Sequence, residues 1–134
     1  MEFLNVIAAA VAAFAFGAVW YTAMSKPWIA AAEIAVDAQG RPVPRAGSSA
    51  AMPFVIGIIA MVIVAGMMRH IFAMSGLTTI GGGIMGGAGI GAFLITPWVA
   101  MNYAFGARTP ALTVIDGVNS IVGCTVMGAV LNAF

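Results

Sequence analysis

Long apolar stretches separated by short polar ones dominate the chain. No charged residue falls within 3–25, 46–68, 71–107 or 117–134. A membrane-spanning helix needs about 20 apolar residues at roughly 1.5 Å of rise each. The first, second and fourth intervals each supply one span. The third is too long for one straight span and too short for two with a loop between them. It divides into the tail of the second helix, a turn, and one long third helix.

Local signals set the ends. Pro53 suits the first turn of the second helix, where its missing N–H is no loss. Ser75 and Gly76 end that helix, with the glycine in the left-handed C-cap position. Thr78 or Thr79 caps the third helix. Thr109 and Pro110 read as N-cap and first residue of the fourth, which then takes in Asp116. The predicted fold is an all-α membrane protein with four transmembrane helices near 3–24, 53–74, 78–105 and 110–132, in a single domain. A short interfacial helix is expected near 28–36, after which Gly40, Pro42 and Pro44 turn and extend the loop.

Composition fixes the surrounding medium. The chain is 63% hydrophobic and 7% charged, whereas a soluble domain carries about 25% charged residues. The lipid bilayer is therefore its first partner. A net charge of +1 supplies no basic field for nucleic acid. Glu2 stands where a signal peptide carries positive charge, so the first span is expected to be retained. Cys124 is the single cysteine and forms no internal disulfide. Lys26, Arg41, Arg45 and Arg108 fall in the loops between spans one and two and spans three and four, against Arg69 alone at the terminal side. The positive-inside rule then places both loops in the cytoplasm and both termini outside.

The run 81–91, "GGGIMGGAGIG", contains a literal G-x-G-x-x-G at Gly81, Gly83 and Gly86. A dinucleotide site needs a preceding strand and an acid about 20 residues later, and neither is here. No Lys-Ser/Thr follows for a P-loop, so no nucleotide is expected. Gly82 and Gly86, Gly83 and Gly87, and Gly87 and Gly91 instead repeat at four-residue spacing. Such a stripe lets two helix backbones come close. Its partner, another span or another chain, is open at this point. Pro97 removes a backbone donor and is expected to kink the third helix near Phe93.

Candidate chemistry is sparse. His70, the only histidine, has Met67 and Met74 on its helix face, a pattern open to haem, a pigment or copper. The simpler expectation is that Arg69 and His70 snorkel to the outer interface with no cofactor bound. No metalloprotease motif, catalytic triad or paired carboxylates occur in the spans, so an enzyme is not expected. Nearly all polar intramembrane groups gather at the loop face. Trp20, Tyr21, Lys26 and Trp28 follow the first span. Trp98, Asn102, Tyr103 and Arg108 end the third, and Asp116, Asn119 and Ser120 open the fourth. An aromatic at such a position anchors to the interface. Their concentration predicts a hydrogen-bonded layer joining spans one, three and four.

The stretches "FGAVWYTAMSKPW", "TPWVAMNYAFGARTP" and "VIDGVNSIVGCTVMGAVL" resemble the three signatures of the bacterial domain-of-unknown-function family 1761. The resemblance covers nearly the whole chain. It implies four helices in a bacterial inner membrane, with Trp20, Tyr21, Lys26, Trp28, Asn102, Gly106 and Asp116 at motif positions. It implies no function. From the residues, a structural or accessory protein is expected, as a homo-oligomer or a subunit of a larger complex. A small transporter or channel built on the polar cluster around Asp116 is the alternative, and a cofactor subunit at His70 the second.

Overall fold

The computed structural model describes residues 2–134. Within these residues six α-helices run α1 (Glu2–Ala23), α2 (Ser25–Ala32), α3 (Met52–Ser75), α4 (Ile80–Ile90), α5 (Thr96–Phe105) and α6 (Pro110–Leu131), with a π-helical turn, Gly91–Ile95, joining α4 to α5. Among the described residues there is no strand, only an isolated bridge between Val36 and Pro42. Among the described residues, four helical stretches are long and apolar enough to cross a membrane: Phe3–Ala23, Met52–Ser75, Ile80–Phe105 and Pro110–Leu131. These are the four spans that the charge-free intervals predict.

The end signals act as their chemistry requires. Gly76 takes φ 67°, closing α3. The Thr79 hydroxyl accepts the Gly82 N–H at 3.0 Å, and the Thr109 hydroxyl accepts the Leu112 N–H at 3.4 Å with Pro110 behind it. The short helix differs from expectation. It occupies Ser25–Ala32 rather than 28–36. Pro27 sits in its first turn, where no donor is needed, so the helix starts almost directly after α1. Glu33 then turns left-handed at φ 55°, and its N–H and that of Ile34 return to the Ala30 and Ile29 carbonyls. That closure ends the helix before Val36.

Beyond it the loop is exposed. The Asp37 carboxylate accepts from the Arg41 and Gln39 backbone N–H groups, each at 2.9 Å, and from Arg41 Nε at 2.8 Å. The Arg41 backbone bond is the largest influence and, against an opposing desolvation and with help from the Arg41 side chain and the Gln39 N–H, holds that carboxyl below its usual range.

Span α6 is the hub, set between α1 on one side and α4–α5 on the other. The core joins Val6, Ala9, Ala10 and Ala13 of α1 to Ala65, Met68 and Phe72 of α3 and to Cys124, Met127 and Leu131 of α6. Small α1 side chains permit this close approach, while Phe72 and Met68 fill the gap from α3. Large apolar side chains on the outside, such as Phe54, Ile59 and Ile63 of α3 and Phe93 of the π turn, present a lipid-facing surface.

The glycine stripe has its partner inside the chain. A Cβ on Gly83 would strike the Gly128 carbonyl, and one on Gly87 the Cys124 carbonyl. One on Gly91 would lie 2.6 Å from the Ile121 Cα. Gly128 reciprocates against the Gly83 carbonyl. Backbone therefore meets backbone along α4 and α6, the arrangement small residues allow in lipid. Gly82 and Gly86, grouped with the stripe by spacing alone, face elsewhere. Gly82 faces Thr79 and Leu77, and Gly86 faces Phe72 and Leu77.

Pro97 has the disruptive effect expected of it in a different form. Instead of a simple kink, the helix widens into the π turn. The Thr96 N–H and its hydroxyl both donate to the Gly91 carbonyl, the hydroxyl at 2.7 Å. The hydroxyl also reaches the Gly117 carbonyl at 3.4 Å. The Thr96 methyl lies 3.0 Å from where a Gly117 Cβ would stand.

Candidate functional site

Asp116 is carried by the first two turns of α6, about 9 Å along the helix from Pro110. Tyr21, at the end of α1, donates its hydroxyl to one carboxylate oxygen at 2.6 Å. Tyr103, near the end of α5, donates to the other at 2.6 Å. Three spans thus converge on one half-buried side chain. Hydrogen bonds to a carboxylate are among the strong ones, about 1.5–3 kcal/mol each.

The surroundings hold the two phenols in place. Trp28 of α2 packs edge-on against Tyr21 with ring centroids 5.3 Å apart. Trp20 Nε1 donates to the Ile115 carbonyl at 3.0 Å and its ring stacks on Phe16. A small apolar cluster of Ala31, Leu112 and Ile115, with Met24 and Tyr103 beside it, closes the space under α2. The Thr109 hydroxyl donates to the Ala31 carbonyl at 2.8 Å, fastening α2 to the start of α6. The short helix therefore roofs the cluster rather than lying apart in the interface.

Several residues grouped with this cluster by sequence sit outside it. Lys26, Asn102 and Trp98 are exposed. Arg108 turns to Glu33 at 3.8 Å and to the Ala32 carbonyl, on the outer side of α2. Asn119 faces α1, where a Cβ on Gly17 would lie 3.3 Å from its Oδ1, and that buried oxygen has no hydrogen-bond partner. The Ser120 hydroxyl bonds back to the Asp116 carbonyl at 2.9 Å. His70 is exposed on α3, as are Met67 and Met74.

Polar contacts also occur at the other end of the bundle, contrary to the expected concentration on the loop face. Asn5 Nδ2 donates to the Phe134 carbonyl at 3.2 Å, and Arg69 to the Leu131 carbonyl at 3.3 Å. Asn132 Nδ2 donates to the Leu77 and Thr79 carbonyls, each at 3.0 Å. The signal for this second layer was an asparagine near each terminus.

Fold and site together define a small four-span membrane protein whose loop-side ends are tied by a tyrosine–aspartate–tyrosine clasp. The chain belongs to the family described as Protein of unknown function (DUF1761), which matches residues 4–132. No curated protein and no solved structure matches it.

Proposed function

We propose that the protein is a structural or accessory subunit of the bacterial inner membrane, not an enzyme, and that Asp116 fastens its bundle rather than binding a transported solute. The observation that carries this reading is the occupation of both Asp116 oxygens by phenols from two other spans under the roof of α2. A solute site would need that carboxylate to exchange partners during each cycle, and here that exchange would have to undo the ties from α6 to both α1 and α5. The apolar exterior of α3 offers the surface through which such a subunit meets a second copy or a larger complex.

One preparation tests both halves. Membranes solubilised in a mild detergent should yield the protein in a defined native-gel band well above the 13.6 kDa chain. The same material in proteoliposomes loaded with a pH dye should dissipate an imposed gradient no faster than empty vesicles. Gradient collapse that Asp116→Asn abolishes would assign a transporter instead, and a free single chain on the gel would remove the subunit reading.

The orientation follows from charge. Lys26, Arg41, Arg45 and Arg108 belong to the end that carries α2 and the two connecting loops. That end faces the cytoplasm in this reading. A cysteine placed at Ser48 in a Cys124→Ala background should resist an impermeant thiol reagent in intact cells and react after permeabilisation. Reaction in intact cells reverses the orientation.

A further inference from the structure

Among the described residues, Asn119 Oδ1 is the one buried side-chain oxygen or nitrogen without a hydrogen-bond partner. Asn119 lies about 13–14 Å along α6 from Pro110, close to the middle of a 22-residue span. An unmet amide at that depth is costly, because lipid chains offer neither donor nor acceptor. Other polar side chains of the spans are satisfied. The Thr96, Ser120 and Thr125 hydroxyls each donate to a backbone carbonyl.

The donors that α1 sends to α6 are already committed. Trp20 Nε1 donates to the Ile115 carbonyl, and the Tyr21 hydroxyl donates to Asp116. Turning the Asn119 amide over exchanges an unmet acceptor for an unmet donor and closes nothing. Gly17 lies opposite. A Cβ there would stand 3.3 Å from Oδ1, so the missing side chain keeps the approach to that oxygen clear. One turn toward the loops, on the same face of each helix, come Asp116 and Tyr21. Each Asp116 oxygen takes one phenol and retains acceptor capacity. Residues three apart on a helix have Cβ atoms about 5–6 Å apart, a gap that one bridging molecule spans. Asn119 Oδ1 and the carboxylate are both acceptors, so the bridge must carry two donors. Water is the smallest molecule that does, and two or more polar partners are what a buried water needs.

We propose that a single water molecule binds in the α1–α6 seam, donating one hydrogen to Asn119 Oδ1 and the other to the Asp116 carboxylate. It extends the polar layer one turn toward the membrane centre. The site rests on the geometry of the seam and is independent of the accessory role given to the protein.

The test uses the full chain in lipid bilayers with isotope-labelled asparagine and aspartate. Magic-angle-spinning NMR reads magnetisation transferred from water. Val118–Asn119 is the one Val–Asn pair in the chain, so labelled valine assigns Asn119 without mutation. Water should reach the Asn119 side chain as fast as it reaches Asn102, which is exposed near the end of α5. Transfer from lipid chains alone, or from neither source, overturns the proposal. So does a contact at this amide between differently labelled copies, which would assign the bond to a second chain. Asn119→Leu keeps the volume and removes the acceptor, so transfer from water to the Asp116 carboxyl carbon should be lost. Asn119→Val makes the same comparison should leucine disturb the seam. Transfer to Asp116 that survives in a folded variant overturns the bridge.

Discussion

Replacing Gly87 with alanine is expected to lower the melting temperature sharply, while the same change at Gly89 leaves it unchanged or raises it. The two glycines are on the same helix and differ in what their missing Cβ would meet. At Gly87 it would strike the Cys124 backbone carbonyl, which has no rotamer to escape into. The helices α4 and α6 would have to separate, and Gly83 and Gly91 would lose their contacts with them. Overpacking of this kind costs roughly 1–3 kcal/mol for an added methyl or two, and Gly87→Leu should prevent assembly of the bundle. Nothing lies within 4 Å of a Cβ at Gly89. There alanine contributes its better helix propensity, up to about 1 kcal/mol. Thermal melts of both variants in one detergent decide the matter: equal midpoints would mean that α4 does not pack on α6 through this stripe.

The second large effect is at Asp116. Asp116→Leu removes the acceptor from two phenols at once and leaves both hydroxyls under α2 without their partner. Each abandoned buried hydroxyl costs about 1–3 kcal/mol, so a loss of roughly 2–6 kcal/mol is expected. Asp116→Asn keeps the shape and one carbonyl oxygen, and a phenol can accept from its amide. It should lose less than half as much. Tyr21→Phe and Tyr103→Phe each remove one donor and should fall between the wild type and Asp116→Leu. Chemical denaturation of the four variants in mixed micelles ranks them, and a leucine variant as stable as the asparagine variant would show that the clasp does not hold the bundle.

The number of spans was legible because charge is costly in lipid and leaves four long charge-free intervals, while their ends were set by the cap and proline signals rather than by the intervals themselves. The caps at Gly76, Thr79 and Thr109 were legible for a similar reason, since each depends on local chemistry. What stayed hidden depends on helix rotation. The four-residue spacing shows that Gly87 opens a groove but not that Cys124 fills it, because the partner lies 37 positions away. The clasp was legible as a set of polar residues from three spans. Its membership was not: Tyr21 and Tyr103 point inward, whereas Asn102, one position before Tyr103, points out. The short helix begins at Ser25 rather than near residue 28 because Pro27 falls in its first turn, where the missing N–H is no loss. The terminal polar layer escaped because Asn5 and Asn132 satisfy backbone carbonyls, and carbonyls carry no sequence signal.

The π turn at Gly91–Ile95 sets the phase of everything after it. Gly91 and Tyr103 both face α6, yet they are separated by 12 residues. At about 100° per residue a continuous α-helix would place them about 120° apart. One additional residue taken up by a wider turn rotates the remainder back by about 100° and returns Tyr103 to within about 20° of the stripe. The span behaves as two rigid rods with a one-residue spacer, the first cut for the glycine seam and the second for the phenol. A straight rod with that spacer deleted would present the same two faces. In an alignment of such chains, the place for a single-residue gap is therefore between Gly91 and Thr96, where length can change without altering what either half of the span touches.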